Sequence, residues 1–394
     1  MFSQRTAVER HPNRLATALE KLRTQQTPFL DLTVSNPTTA GLPYPTGEIR
    51  AALSDPRALT YSPDPFGLRS ARAAISVLYA ETGVAVPPEH LVLTASTSEA
   101  YGYLWKLLCD ANTGDEVLVP APSYPLFELL ARFEGVTLVP YRLAYDGEWH
   151  IDRESVKHAI TPRTRAIMMV SPNNPTGSYV REDELEMLAS FDLPLVSDEV
   201  FAPFPLRAER QLATRRAKSV LESRSADLVF ALNGLSKLAA LPQMKLGWLA
   251  VGGRNAARVA EALARLELLA DAFLSVGAPI QVAAPTLLSA RHVTIAAIQA
   301  RLAKNLAVLQ SATTGTALSL LDVEGGWYGT LRLPRVESEE AWVLRFLQED
   351  HVYVHPGHFF DFAEEAYVVL SLLTAEEPFA EGVRRIVARV ASLV

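Results

Sequence analysis

The chain has 394 residues, of which 49% are hydrophobic and 21% are charged, an ordinary balance for a folded globular protein. This length allows a large core and predicts two domains in one polypeptide. The net charge of −7 argues against a general nucleic-acid surface. Charged residues interrupt even the apolar-rich stretch 262–288, so no membrane span is expected.

The N-terminal segment and the cysteine content indicate the compartment. Residues 1–14 lack the apolar run of a secretory signal. Cys109 is the single cysteine and cannot form an internal disulfide, which is typical of a reducing compartment. It ends an apolar helical stretch, which favours a buried thiol over a nucleophile. A cytoplasmic location is therefore expected.

Apolar runs of strand length alternate with helix-length segments through the middle of the chain. Because strands separated by helices form parallel pairs, an α/β fold with a mostly parallel seven-stranded sheet is predicted. The strand runs are Leu91–Thr94, Glu116–Val119, Thr137–Tyr141, Ala166–Val170, Leu195–Ser197, Leu228–Leu232 and Trp248–Val251. The intervening helices include Ser98–Cys109, Pro125–Phe133 and Glu182–Phe191.

The last part of the chain has a different pattern. A long amphipathic helix is predicted over Asn255–Ala272, and another helical stretch follows Ala290 and continues to about Gln310. A shorter region of mixed strands and helices comes next and predicts a smaller α+β domain. Its elements are Trp327–Leu333, Glu339–Asp350, Val352–His355, Tyr367–Leu373 and a final helix from Pro378.

Three polar motifs directly follow predicted buried strands. Asn174 lies in Asn-Asn-Pro-Thr-Gly after one strand, Asp198 begins Asp-Glu after the next, and Lys237 follows Gly-Leu-Ser after a third. In open α/β sheets, ligands bind at the carboxyl ends of the strands. The three side chains are therefore expected to meet at one edge of the sheet.

Lys237 and Lys245 point to a particular cofactor. An amine held at the rim of a sheet can condense with an aldehyde, and a second cation eight residues later can neutralise a phosphate. Together these features indicate a lysine that carries pyridoxal phosphate as a Schiff base.

With these motifs, the chain resembles the class I/II aminotransferases of the pyridoxal-phosphate fold-type I superfamily from about Asp31 to the C-terminus. The resemblance implies a large domain and a small domain built from both ends of the chain. The expected divisions are an N-terminal arm at 1–45, a cofactor-binding domain at 46–285 and a small domain at 286–394.

The resemblance also implies roles for individual residues. Lys237 forms the Schiff base and then serves as general base, and Asp198 pairs with the pyridine nitrogen. Asn174 donates to the 3′ oxygen of the cofactor. Tyr61 reaches the phosphate bound by a neighbouring subunit, which implies a homodimer with shared sites. The other expected cofactor contacts are Thr97 and Ser98 at a helix N-terminus, Tyr124 stacked on the ring, and Ser236 and Lys245.

Several positions depart from the family pattern. Lys245 stands where most members have arginine, and Phe201 replaces a tyrosine. Val369 occupies the place of the arginine that clamps the α-carboxylate of the substrate, so ordinary amino-acid recognition is in doubt. Ser35 and His358 match positions near the substrate and are the candidate substrate contacts.

The alternatives on this scaffold are another pyridoxal-phosphate enzyme and, more remotely, a non-catalytic regulator. A C–S β-lyase or a decarboxylase would use the same lysine and aspartate. A ligand-sensing half of a regulator would need an added DNA-binding domain, and only about thirty residues precede the family pattern.

No metal site is predicted, since Pro356 and Gly357 prevent a helix that would align His355 with His358.

Overall fold

The computed structural model describes residues 2–7, 11–111, 113–207 and 215–394. The strands are β1 (Leu30–Asp31), β2 (Leu91–Thr94), β3 (Glu116–Ala121), β4 (Thr137–Tyr145), β5 (Trp149–Ile151), β6 (Thr164–Val170), β7 (Leu195–Asp198), β8 (Val229–Gly234), β9 (Gly247–Gly252), β10 (Ser319–Leu320), β11 (Tyr328–Arg332), β12 (Val352–Tyr353), β13 (His355–Pro356) and β14 (Tyr367–Ser371).

Helices connect these strands and also form both ends of the fold. They are α1 (Arg14–Thr24), α2 (Thr46–Leu53), α3 (Arg69–Glu81), α4 (Thr97–Leu108), α5 (Leu126–Glu134), α6 (Arg153–Ala159), α7 (Glu182–Ala189), α8 (Leu235–Leu238), α9 (Ala256–Phe273), α10 (Ala278–Ala290), α11 (His292–Thr313), α12 (Glu339–Gln348) and α13 (Glu376–Leu393).

The large sheet has the strand order β2-β9-β8-β7-β6-β3-β4-β5. The pairs from β8 through β7, β6 and β3 to β4 are parallel, whereas β9 pairs antiparallel with both β8 and β2. The seven predicted strands are all present, which confirms the α/β prediction. An eighth strand, β5, adds an antiparallel edge. Its three residues are too short a run to stand out in the sequence.

Side chains on both faces of this sheet are buried, which is why its strands are continuous apolar runs rather than alternating ones. In β8, Phe230 packs on the face covered by α4 and α9. Its neighbour Ala231 packs on the opposite face, under α3 and α10. The result is a helix–sheet–helix sandwich that holds the strand ends rigidly.

Local signals fix where the helices next to the sheet begin and end. The Ser96 hydroxyl accepts from the Glu99 backbone N–H at 3.2 Å and caps α4, and Asn255 caps α9 in the same way. Gly135 ends α5 with a φ of 75°, a conformation that glycine adopts without strain.

A second sheet, in the order β10-β11-β14-β13, packs with helices from both ends of the chain. The N-terminal strand β1 pairs with β12 through Leu30↔Val352 and Asp31↔Tyr353. Leu15 and Leu19 of α1 share one apolar core with residues of α11, α12 and α13. The beginning and the end of the chain therefore build one common core.

The packing of α10 and α11 shows which residues belong to the core of the large sheet and which belong to the second core. Residue 285, the expected boundary, lies inside α10, whose buried residues Ile280 and Leu287 belong to the core of the large sheet. Ile295 of α11 belongs to the second core. The domain divisions at 45 and 285 stay a prediction.

Within the described parts of the chain, no helix combines the length and the apolar character needed to cross a membrane.

Candidate functional site

The carboxyl ends of β6, β7 and β8 lie side by side in the large sheet. Val170 pairs with Asp198, and Asp198 pairs with Leu232, so the three strands end at nearly the same level. The segments that follow them carry Asn174, Asp198 and Lys237. The sheet therefore places the three predicted polar groups along one edge.

Lys237 lies in the single turn of α8, directly after β8. Its Nζ is 4.8 Å from the ring centre of Trp327 and 5.8 Å from that of Phe201. Burial lowers the pKa of Lys237 to about 8, against the opposing effect of the Asp198 charge. The amine therefore gives up its proton far more readily than an ordinary lysine, which favours a nucleophilic role.

Asp198 is the last residue of β7 and is buried. Its Oδ2 accepts from the Tyr101 hydroxyl at 2.7 Å, and its Oδ1 accepts from the Val200 backbone N–H at 3.1 Å. Burial raises the pKa of Asp198, while the hydrogen bond from Tyr101 and the charge of Lys237 lower it. The carboxylate is thus held in one orientation beside the lysine.

The two asparagines of the Asn-Asn-Pro-Thr-Gly turn have different surroundings. The Asn173 amide is fully used, since it accepts from Ser123 at 3.1 Å and donates to Thr176 Oγ1 at 2.9 Å. Asn174 is also buried, yet its Oδ1 has no hydrogen-bond partner. Buried polar atoms normally have partners, so the Asn174 amide has capacity for a ligand.

The N-terminus of α4 meets the start of β9 at the same edge. A Cβ on Gly247 would lie 2.8 Å from the Ser96 carbonyl carbon and 2.9 Å from the Thr97 nitrogen, so only glycine permits this approach. Thr97 and Ser98 are partly exposed in the first turn of α4. Lys245 is exposed just ahead of β9. Backbone N–H groups and hydroxyls suited to an anion thus lie beside Gly247, and the cation Lys245 precedes this glycine by two residues.

The aromatic candidates differ in exposure. Tyr124 is 42% exposed, and its ring contacts Phe127 edge-on at 5.8 Å. Tyr61 is 79% exposed in the loop before α3. A tyrosine this exposed makes few packing contacts within its own subunit.

Ser236 is partly buried next to Lys237. Ser35 is exposed and lies near the Tyr328 phenol, where its side chain lowers the pKa that burial raises. The Tyr328 ring in turn lies 6.3 Å from the Phe201 ring. Tyr328 thereby links Ser35 to the aromatic surroundings of Lys237.

His358 has a structural partner. Its Nδ1 lies 2.8 Å from Glu339 Oε1, and the buried Glu339 carboxylate also accepts from the backbone N–H groups of His358 and Tyr367. The ring therefore helps to hold its own loop against α12. A substrate contact by His358 stays a prediction.

Val369 is fully buried in the middle of β14. Thr330 of β11 and His355 of β13 are its partners on either side. Burial lowers the pKa of His355, which favours the neutral imidazole. These three residues lie side by side across the sheet, and none of them carries a permanent positive charge.

Sequence reasoning missed three residues of this site. Trp327 was predicted only as a strand residue, although the Gly325-Gly326 pair before it signals a tight approach of the chain. Tyr328 lies in the same predicted strand and was likewise not assigned to the site. Tyr101 reaches Asp198 across 97 residues, and no local pattern announces that contact.

Comparison with known proteins shows the family. The model of "Aminotransferase class I and II" matches residues 27–383. The aspartate/prephenate aminotransferase of Thermus thermophilus is 28% identical over 94% of this chain and 93% of its own length. The arginine–pyruvate transaminase AruH of Pseudomonas aeruginosa is 30% identical over 85% of this chain and 84% of its own.

Solved structures agree with the sequence comparison. An alanine aminotransferase from Pyrococcus furiosus superposes with a TM-score of 0.87 at 24% identity and covers 100% of both chains. An aspartate aminotransferase variant from Thermus thermophilus gives a TM-score of 0.82 at 26% identity over 99% of each chain. The predictions of the fold-type I architecture and of transamination are confirmed. The chain therefore belongs to the class I and II aminotransferases, enzymes that use pyridoxal 5′-phosphate to move amino groups between amino acids and keto acids.

Proposed function

We propose that Lys237 and Asp198 carry the transamination chemistry, and that the preferred amino donor has an apolar side chain. The observation that carries the first part is the meeting of a lysine of lowered pKa, a buried carboxylate and an amide with a free buried oxygen at one edge of the sheet. Charged groups in such an arrangement are typical of catalytic sites.

Pyridoxal 5′-phosphate, when bound, supplies an aldehyde that condenses with amines and a ring that withdraws electrons from the carbon next to the nitrogen. Lys237 would hold the group at that aldehyde. When it is not bound there, the Lys237 amine would accept the proton that leaves the α-carbon of the substrate. Asp198 would keep a proton at the ring nitrogen, and the Asn174 side chain would donate to the ring oxygen.

The remaining contacts divide between the phosphate and the ring face. Thr97 and Ser98 offer hydroxyls and N–H groups at the α4 N-terminus, and together with Ser236 and Lys245 they would hold the phosphate. Tyr124 would stack on the ring. The free Asn174 oxygen and the close approach of Gly247 to Thr97 both support this fit, because an amide can turn to present either its oxygen or its nitrogen.

The surroundings of Lys237 support an apolar donor. The rings of Phe201 and Trp327 flank the amine, and Tyr328 and Phe360 continue this aromatic wall. Val369 supplies no charge for a carboxylate. Ser35 and backbone N–H groups near it are the neutral donors that remain, since a buried carboxylate without any partner would cost several kcal/mol.

We also propose a homodimer with shared sites and a cytoplasmic location. The 79% exposure of Tyr61 and the 90% exposure of nearby Leu59 support the dimer, since a partner surface would cover them. The single buried thiol of Cys109 supports the reducing compartment.

Borohydride reduction of the purified holoenzyme tests the lysine assignment. The reduced cofactor should remain on the peptide that contains Lys237. The Lys304→Ala variant is the control, because it removes a surface lysine that pairs with Glu376 and should still be labelled at Lys237. A label on any other lysine of the native protein would reject the assignment.

A further inference from the structure

The hydroxyl of Tyr101 and the carboxylate of Asp198 form a buried hydrogen bond of 2.7 Å. We propose that Tyr101 is a positioning residue that keeps Asp198 ionised and correctly aimed, an inference that rests on the proposed role of Asp198 at the ring nitrogen. Tyr101 does not itself touch the reacting atoms in this proposal.

The phenol is rigidly placed. Tyr101 lies one helical turn beyond Thr97 in α4 and is only 2% exposed. Its ring is stacked with Trp105 at 5.8 Å and meets Phe127 edge-on at 5.3 Å. Phe127 in turn contacts Tyr124. One aromatic cluster therefore fixes the donor to Asp198 together with the ring that is proposed to stack on the cofactor.

The direction of the hydrogen bond is settled by charge. Burial and the negative charge of Asp198 raise the pKa of Tyr101 well above its ordinary value, so the phenol keeps its proton and donates. Asp198 accepts through Oδ2, while Val200 supplies the donor for Oδ1. Each oxygen is thus oriented by one donor and keeps a lone pair for a ligand.

The hydrogen bond from Tyr101 also affects the ionisation of Asp198. Burial raises the pKa of Asp198, and the Tyr101 hydrogen bond is the first of the effects that oppose it, ahead of Val200 and Lys237. The other titratable groups that sense this carboxylate are Tyr124 and Glu199. Removing the phenol should therefore raise the pKa of Asp198 further, so that it loses its charge at a higher pH.

The test is Tyr101→Phe, which removes the hydroxyl and keeps the ring. The cofactor should dissociate roughly tenfold to a hundredfold more readily, the effect expected for losing a hydrogen bond to a charged group. The acid limb of the kcat profile should move to higher pH, because ionised Asp198 is required. A defect in folding alone would lower activity equally at every pH, and that outcome would overturn the proposal.

Tyr141→Phe is the matched control. Tyr141 is 1% exposed and donates to the Met168 carbonyl at 2.8 Å, so the same atom and a similar buried bond are lost without touching a carboxylate. Its cofactor affinity and acid limb should equal those of the native enzyme. Equal shifts in both variants would show a general packing effect and reject the role of Tyr101.

Asp198→Asn separates this inference from the proposed function. If Tyr101 acts through Asp198, its substitution should have no further effect on cofactor affinity in the Asp198→Asn background. If Asp198→Asn lost activity while Tyr101→Phe kept native activity and cofactor affinity, the inference would be overturned and the proposed role of Asp198 would stand. A native-like Asp198→Asn enzyme would instead remove the proposed role itself, and the inference with it.

Discussion

Arg181 and Glu324 form a buried, two-pronged ion pair that joins the start of α7 to the loop ahead of β11. Nη1 and Nη2 of the arginine lie 2.8 and 2.7 Å from the two carboxylate oxygens. Arg216 also donates to Glu324, from Nε at 3.1 Å, and stacks over the Tyr179 ring at 4.3 Å. Because Glu324 precedes Trp327 by three residues, this cluster holds the loop that places the indole beside Lys237.

Glu324→Gln should lower the free energy of unfolding by about 3–5 kcal/mol, since two buried guanidinium groups would lose their main counter-charge. Urea unfolding of the cofactor-free protein measures this directly. Glu340→Gln is the control: its carboxylate pairs with Arg14 at 2.8 Å, but both side chains are largely exposed. That change should cost less than about 1 kcal/mol. Similar losses in the two variants would show that burial adds nothing to the Glu324 pair.

The lowered pKa of Lys237 predicts a pH dependence of stability in the cofactor-free protein. Between its folded value of about 8 and the ordinary value of 10.5, the unfolded chain holds a proton that the folded chain lacks. The free energy of unfolding contributed by this group therefore rises with pH across that window.

Lys237→Met removes this contribution while keeping an apolar stem of similar length. The difference in unfolding free energy between native and variant proteins should grow in favour of the native protein from pH 8 to 10.5. Paired urea titrations at several pH values measure it, and titration of all other groups cancels in the difference. A difference in unfolding free energy that stays constant with pH would contradict the lowered pKa of Lys237.

Tyr61 offers a test of shared sites by mixing subunits. A chain with Lys237→Ala and a chain with Tyr61→Ala should each be weak alone. In a hybrid dimer, one site would combine the intact Lys237 of one subunit with the intact Tyr61 of the other. Unfolding and refolding the two variants together should therefore restore activity well above that of either variant. No recovery in hybrids isolated through an affinity tag on one of the two variants would mean that Tyr61 serves no site across the interface.

The strands and the core of the site could be predicted because both leave local signals. A strand buried on both faces is a continuous apolar run, and Asn174, Asp198 and Lys237 each follow such a run directly. Their meeting then requires only that β6, β7 and β8 be neighbours, which parallel α/β sheets commonly provide.

The rest of the site depends on contacts between distant segments. Tyr101 touches Asp198 across 97 residues, and Glu324 reaches Arg181 across 143. In the sequence, Tyr101 is one aromatic residue in an apolar helix, and Glu324 is an acid in a loop. Periodicity reveals which face of an element is buried but not which element packs against it, so neither partner could be assigned.

Val369 leads to the last prediction, which concerns the amino donor. The residue is fully buried, and its neighbours Thr330 and His355 bring no permanent cation to the place where the family arginine would bind a carboxylate. An arginine–carboxylate pair contributes about 1.5–3 kcal/mol, so its loss should cost every α-amino acid roughly tenfold to a hundredfold in kcat/KM. An apolar donor regains part of this loss by packing its side chain against the rings of Phe201 and Trp327, whereas aspartate does not.

A panel of amino donors, read by the change in cofactor absorbance in the half-reaction, measures this preference. Apolar and aromatic amino acids should exceed aspartate, and Val369→Arg should improve aspartate by restoring a partner for its α-carboxylate. Val369→Met is the size control, because it lengthens the side chain without adding a charge and should leave aspartate poor. Turnover of aspartate by the native enzyme at the rate of its best donor would refute the idea, and so would a ligand-bound crystal structure in which another arginine already holds the carboxylate.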